Sequence, residues 1–214
     1  MEDLSNYRKS YEKSQLLENA IPDDPINLFH RWFHEIKESG GADEVNAMTV
    51  ATMGLDGFPK SRVVLLKKYD EEGFVFYTNY DSEKGKAILM NPNVCLSFFW
   101  HSMERQVIIK GIAEKTSKSI SDNYFESRPN GSKLGAIVSP QSEVIPSREF
   151  LDDKLKDLET KYKDKPIQRP ENWGGFLVRP VEIEFWQGRP NRLHDRIRYQ
   201  LHAVFNWKIE RLSP

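Results

Sequence analysis

Between Asn46 and Lys115 the chain runs through short apolar segments separated mostly by tight turns. Residues 47–52 lead into Asp56-Gly57, a dipeptide suited to a hairpin, and then into residues 61–69. Glu72-Gly73 separates that run from residues 74–79. One short helical stretch, 82–90, stops at Asn91-Pro92, and residues 94–101 and 105–114 follow as two further strands. Parallel strands need a long crossover between each pair. Short turns do not supply it, so repeated βαβ units are excluded and an antiparallel sheet or barrel is predicted.

The flanking segments add helices and late strands. Residues 1–20 are polar, with Arg8, Lys9, Ser10 and Tyr11 as their distinctive cluster. They are expected as a flexible arm ahead of a single domain over 21–214. Asp24 suits a helix N-cap and Pro25 the first position. Leu28, Phe29, Trp32, Phe33 and Ile36 then recur at helical spacing until Gly40-Gly41. Residues 117–127 read as a helix ending near Pro129, and 147–162 as another with Phe150, Leu151, Leu155, Leu158 and Tyr162 on one face. Strands are predicted over 176–186, 193–200 and 203–211. The fold class is α+β, mostly antiparallel, with a β-barrel-like centre and peripheral helices.

Composition removes several functions. In 214 residues, 31 Lys plus Arg face 32 Asp plus Glu, and the basic residues form no stripe, which argues against nucleic acid as a partner. Hydrophobic residues make up 38%, too many for a disordered chain. No apolar run approaches the roughly 18 residues of a membrane span, and Met1-Glu2-Asp3 opens no apolar leader. A single cysteine, Cys95, forms no internal disulfide and points to a reducing, cytoplasmic setting. In Val94-Cys95-Leu96 it reads as a small core residue. Phosphate-loop, dinucleotide-binding, nucleophile-elbow and Cys-x-x-Cys motifs are missing. His30 and His34 have the spacing of a helical metal pair, but no Glu follows the first and both lie off the apolar stripe. A solvated face is the favoured reading, and no metal is expected.

Polar groups set among apolar strands carry more. Arg62 and Lys67 bracket Val63-Val64-Leu65-Leu66, and a cation buried there needs an anion such as phosphate. Alternation puts the two on opposite faces, serving two anions, or one if a bulge reunites them. The alternative is a strand whose charged ends reach solvent. Tyr124 and Arg128, four apart, share a helix face. With Ser132 past the Pro129 turn they would clamp a phosphate, against the opposing helix dipole; a surface Arg at a helix end is the plainer alternative. Arg192-Leu193-His194-Asp195-Arg196 is the densest ionisable cluster. In an extended strand Arg192, His194 and Arg196 point one way, and their repulsion calls for an anionic or electron-rich ligand unless the face is simply solvated.

Taken in order, several segments carry a resemblance: Arg62-Val63-Val64-Leu65-Leu66-Lys67, Phe76-Tyr77-Thr78-Asn79, Glu104-Arg105-Gln106-Val107, Tyr124-Phe125 and Ser127-Arg128-Pro129. Gln141-Ser142, Trp173-Gly174-Gly175, Glu184-Phe185-Trp186-Gln187-Gly188 and Arg192-Leu193-His194-Asp195-Arg196 continue it. The chain resembles the pyridoxine/pyridoxamine 5'-phosphate oxidase family from about Arg8 to Pro214. The resemblance implies a homodimer of FMN-binding split β-barrels with FMN at the subunit interface. FMN would be held by Arg62, Val63, Val64, Leu65 and Lys67, with Tyr77, Thr78 and Lys84 near its phosphate end. Gln106, Gln141, Ser142, Trp186 and Arg196 complete the flavin set. The substrate phosphate would be gripped by Lys67, Tyr124, Arg128 and Ser132. Arg192, Leu193 and His194 would face the pyridine ring, Arg192 and His194 as the catalytic pair. Arg8, Lys9, Ser10 and Tyr11 match the segment that folds over the substrate.

The implied reaction converts pyridoxine 5'-phosphate or pyridoxamine 5'-phosphate to pyridoxal 5'-phosphate. A hydride equivalent passes from C4' to flavin N5, oxygen accepts the electrons to give hydrogen peroxide, and the amine also loses ammonia. Two positions and one stretch depart from the family pattern. Glu83 stands where an Arg is common, Lys133 replaces a usual Gln, and residues 200–205 lack a basic residue often found there. Glu83 predicts weaker flavin binding unless it turns to solvent. The alternative function is a non-catalytic FMN or pyridoxal 5'-phosphate binding protein on the same fold. A split-barrel reductase with another electron donor is disfavoured by the Tyr124/Arg128/Ser132 clamp.

Overall fold

The first helix forms where its caps and apolar spacing require. Helix α1 spans Pro25–Glu38; the Asp24 carboxylate accepts the Ile26 N–H at 2.8 Å, and Leu28, Phe29, Trp32 and Ile36 are buried. The computed structural model describes residues 1–203 and 206–214. Val204 and Phe205, which belong to the last predicted strand and to the departure at 200–205, lie outside the described residues.

After α1 come β1 (Ala47–Met53), β2 (Pro59–Leu65), β3 (Lys68–Asp70), β4 (Gly73–Asn79), α2 (Glu83–Met90), β5 (Asn93–Trp100) and β6 (Arg105–Lys115). Then follow α3 (Lys118–Ser127), α4 (Asn130–Val138), α5 (Arg148–Tyr162), β7 (Trp173–Gln187), β8 (Asp195–Ala203) and β9 (Asn206–Arg211). The strands form one sheet in the order β2-β1-β5-β6-β7-β4-β3, with β8 also on β7 and β9 on β8. The β3/β4, β4/β7, β7/β8 and β8/β9 pairs are all antiparallel. Among the described residues no helix is long and apolar enough to cross a membrane.

The chain clusters into two compact units. Unit 1 comprises residues 1–50, 95–111 and 180–214, and unit 2 comprises 51–94 and 112–179. In unit 1, Phe29 packs edge-on to Phe98 and Trp32 edge-on to Phe185, each at 5.2 Å between centroids. Burying side chains of this size stabilises the fold by roughly 1.5–3 kcal/mol each. In unit 2, β4 and β7 pair with Phe76 opposite Phe176 and Thr78 opposite Gly174. A Cβ at Gly174 would stand 2.2 Å from the Tyr80 hydroxyl, so only glycine fits that approach. Helix α5 packs on α4; its predicted apolar face is half-buried and none of its residues is fully so.

Three expectations are corrected. The single strand over 61–69 is two strands, because the chain breaks at Leu66-Lys67 and the Lys67 N–H donates to the Val75 carbonyl at 2.8 Å. Pro129, read as the end of one helix, also N-caps another: α4 follows α3 at once. The strand predicted over 193–200 begins only at Asp195, because Asn191 and Arg192 adopt left-handed φ of 57° and 61°. Arg192, His194 and Arg196 therefore do not share one strand face.

Candidate active site

Unit 2 contains a cavity of about 690 Å³, within the usual range for small-molecule sites. Val63, Val64 and Leu65 of β2 line it, with Lys67 at the break after that strand, Tyr77 and Thr78 of β4, Lys84 of α2 and Tyr124 of α3. Arg128, Ser132 and Gln141 complete the set of sequence-predicted residues gathered here.

One part of the cavity is aromatic and cationic. Tyr77 stacks on Tyr124 at 3.8 Å and on Trp173 at 5.6 Å, and the Arg128 guanidinium lies 4.5 Å over the Trp173 ring. Arg128 Nη1 is buried without a hydrogen-bond partner among the described residues. Burial depresses the Arg128 pKa, and the neighbouring Tyr124 opposes this. An unsatisfied buried donor costs about 1–3 kcal/mol, more when charged, and an anionic ligand removes that cost. Arg128 is the extended C-cap of α3, so its side chain is not placed by helical spacing from Tyr124. The helix missed from sequence changes the dipole argument: Ser132 lies in the first turn of α4, whose positive end favours an anion by about 0.3–1 kcal/mol.

The other part is built around Lys84, only 9% exposed. Its Nζ donates to Thr78 Oγ1 at 2.9 Å and to Gln141 Oε1 at 3.2 Å, neither of them a carboxylate. Burial, and then repulsion from Arg62, bring its pKa down to about 8, partly countered by Glu83. Arg62 is half-buried and donates to Thr52 Oγ1 and the Lys60 carbonyl, each at 2.7 Å; it is not among the residues lining the cavity. Glu83, in the first turn of α2, is ion-paired with Lys60. Ser142 is exposed, in a left-handed conformation with φ 76°, and is not part of the lining.

Unit 1 holds the remaining predicted residues. Trp186 and His194 lie 4.7 Å apart, and the Tyr11 ring stands edge-on to Trp186 at 5.7 Å and 5.8 Å from His194. Gly188 lies beneath Tyr11, where a Cβ would come within 2.8 Å of the ring. His194 Nδ1 accepts the Arg189 N–H at 3.0 Å. Burial, then Arg192, lower the His194 pKa, against an opposing pull from Asp195, so the neutral ring with its proton on Nε2 prevails at pH 7. Arg192 and Leu193 are exposed. Arg196 makes a bidentate pair with Glu184, at 2.7 and 3.1 Å, and donates to the Ser213 carbonyl. Its charge is thus matched within the chain and needs no external anion, contrary to the repulsion argument. Gln106 donates to Ser97 Oγ at 3.3 Å. Of the arm residues, Arg8 donates to the Ser5 carbonyl, Lys9 pairs with Glu104 at 3.3 Å, and Ser10 is exposed.

Two residues escaped assignment. Trp173 and Glu104 open two of the segments that carry the resemblance, Trp173-Gly174-Gly175 and Glu104-Arg105-Gln106-Val107, but neither was given a role. His30 and His34 rings lie 4.2 Å apart, and no group of three or more metal-ligating side chains occurs among the described residues. Cys95 is half-buried, its thiol pKa raised by burial.

The family model described as "Pyridoxamine 5'-phosphate oxidase" matches residues 36–162. A second, "Pyridoxine 5'-phosphate oxidase C-terminal dimerisation region", matches residues 173–214. A pyridoxine/pyridoxamine 5'-phosphate oxidase from Flavobacterium johnsoniae is 76% identical over 213 residues, covering all of both chains. The chain belongs to the pyridoxine/pyridoxamine 5'-phosphate oxidase family. PhzG from Burkholderia lata, solved in complex with tetrahydrophenazine-1-carboxylic acid, superposes with TM-score 0.87 at 27% identity, over 95% of this chain and 100% of that one. A pyridoxamine 5'-phosphate oxidase-related, FMN binding protein from Nostoc punctiforme shares the fold, with TM-score 0.68 at 15% identity over 86% and 96% of the two chains. The α+β, mostly antiparallel architecture predicted from sequence is therefore the split-barrel fold of this oxidase family.

Proposed function

We propose that this chain oxidises pyridoxine 5'-phosphate and pyridoxamine 5'-phosphate to pyridoxal 5'-phosphate, using FMN and oxygen and releasing hydrogen peroxide, with ammonia from the amine. The observation that carries the reading is the buried, unpartnered Nη1 of Arg128 in a cavity shared with Lys67, Tyr124 and Ser132. A phosphate ester supplies the acceptor oxygens this arrangement lacks.

The donor set also fits a flavin phosphate. Lys84 is a buried cation whose two partners are neutral, and an anion there would offset the burial that lowers its pKa. Arg62, Val63, Val64, Leu65, Lys67, Tyr77, Thr78, Lys84 and Gln141 would hold FMN, with Ser142, Gln106, Trp186 and Arg196 completing its site. When bound, FMN supplies the two-electron acceptor.

The chain's own residues bind, orient and exclude water. Lys67, Tyr124, Arg128 and Ser132 fix the substrate by its phosphate. Arg192, Leu193 and His194 face its ring, and His194 offers an Nε2–H while Nδ1 stays engaged with Arg189. His194 in this state orients and donates; it does not take up the substrate's proton. Tyr11, already packed on Trp186 and His194, covers the ring and excludes water, with Arg8, Lys9 and Ser10 beside it in the arm. The match of residues 173–214 to a dimerisation region supports a homodimer, and the FMN sites would lie at its subunit interface.

Arg128→Met tests the assignment. It should raise KM for pyridoxine 5'-phosphate about 100-fold while leaving kcat/KM for unphosphorylated pyridoxine unchanged. An unaltered KM for the phosphate ester would contradict it. Absence of peroxide with either vitamer phosphate would favour the non-catalytic binding protein.

A further inference from the structure

Glu104 is a buried acid in an unusual place. Only 2% exposed, it stands in the left-handed region with φ 55°, directly before β6. Its carboxylate faces the arm: Oε2 accepts the N–H groups of Glu12 at 2.9 Å and Lys13 at 3.1 Å, and Oε1 is 3.3 Å from Lys9 Nζ. Its main chain faces the other way, its carbonyl accepting the Gly188 N–H at 2.7 Å and Gln187 Nε2 at 3.3 Å. Gly188 is the residue on which Tyr11 rests. One residue thus ties the arm, and the corner beneath Tyr11, to the same point.

We infer that Glu104 is a positioning residue, the latch that holds the arm so that Tyr11 lies on Trp186 and His194. A non-glycine residue in the left-handed region carries strain, and the contacts around Glu104 account for its persistence there. A carboxylate is the side chain suited to gather two consecutive backbone N–H groups and an ammonium, all of them donors. The link to vitamer binding rests on the proposed function; the latch itself does not.

Trypsin cleavage after Lys13 reads arm opening directly, since cleavage of a transiently opened segment tracks the open population. Glu104→Gly eases the backbone but removes the carboxylate; Glu104→Gln keeps one carbonyl oxygen for both arm N–H groups. The latch predicts cleavage about tenfold faster in Glu104→Gly and within about threefold of the parent in Glu104→Gln, with KM for pyridoxine 5'-phosphate raised more than kcat is lowered in the first. Should Glu104→Gly not fold, Glu104→Asn tolerates the same φ with a side chain too short for the arm, and the same acceleration is expected. Unchanged cleavage in the variant lacking the carboxylate, or equal acceleration in Glu104→Gln, would overturn the latch. Cleavage that responds in a protein inactive toward both vitamers would uphold the latch and reject the proposed function instead.

Discussion

His194 accepts the backbone N–H of Arg189 through Nδ1 at 3.0 Å, and this single bond selects the tautomer that donates from Nε2. His194→Gln retains a donor near the Nε2 position, whereas His194→Asn retains only the acceptor for Arg189. Turnover is expected to fall about 100-fold in Asn and clearly less in Gln, with flavin retained in both. Equal losses, or a better Asn variant, would remove the donor role.

The same residue sets an acid limit. Its pKa lies below the ordinary 6.5, so the protonated ring is disfavoured in the fold and neutral His194 persists down to that region. The pH profile of kcat/KM should be flat near neutrality and decline only below about 6.5. A half-maximal point above that value would contradict the assignment.

Lys84 predicts an alkaline limit on flavin affinity. Its folded pKa of about 8 lies under the free value of 10.5, so between these the unfolded chain binds more protons and apoprotein stability rises with pH. A bound phosphate restores the ammonium, so binding takes up a proton above pH 8. The FMN dissociation constant, followed by fluorescence quenching, should weaken by up to about tenfold per pH unit above 8. Lys84→Met should flatten the profile.

Glu83 neither turns fully to solvent nor contacts Lys84. It pairs with Lys60 while its charge favours the charged forms of both Arg62 and Lys84. Glu83→Gln is expected to tighten FMN only two- to fivefold, about 0.4–1 kcal/mol, because the pair is partly exposed and screened. Lys60→Met, which leaves Glu83 uncompensated beside those cations, should weaken FMN by a similar factor in titrations at low salt.

Much of the fold was legible because local and tertiary signals agreed. In α1 the Asp24 cap, Pro25 and the stripe from Leu28 to Ile36 all specify one helix. Helix α4 was not legible, since a proline that cannot continue a helix is equally suited to start one. In the Arg192–Arg196 cluster, alternation failed because Asn191 and Arg192, at its start, are left-handed, and the partner of Arg196 lies across the sheet. Glu184 pairs with Arg198 in register and reaches Arg196 diagonally, a relation that no neighbouring residue announces. Among the cavity residues, Tyr124, Arg128 and Ser132 were legible from their spacing and Lys67 from its place at the end of an apolar run, whereas Tyr77, Thr78, Lys84 and Gln141 were found by resemblance alone. Trp173 and Glu104 stood in resembling segments without a role, because their roles lie in contacts with residues distant in sequence.

The most direct measurement is an absorbance spectrum of the protein reconstituted with FMN, before and after anaerobic addition of pyridoxine 5'-phosphate. The account predicts that the bound flavin band bleaches with the phosphate ester and returns on admitting air. Bound flavin that stays oxidised under excess pyridoxine 5'-phosphate and pyridoxamine 5'-phosphate would contradict it.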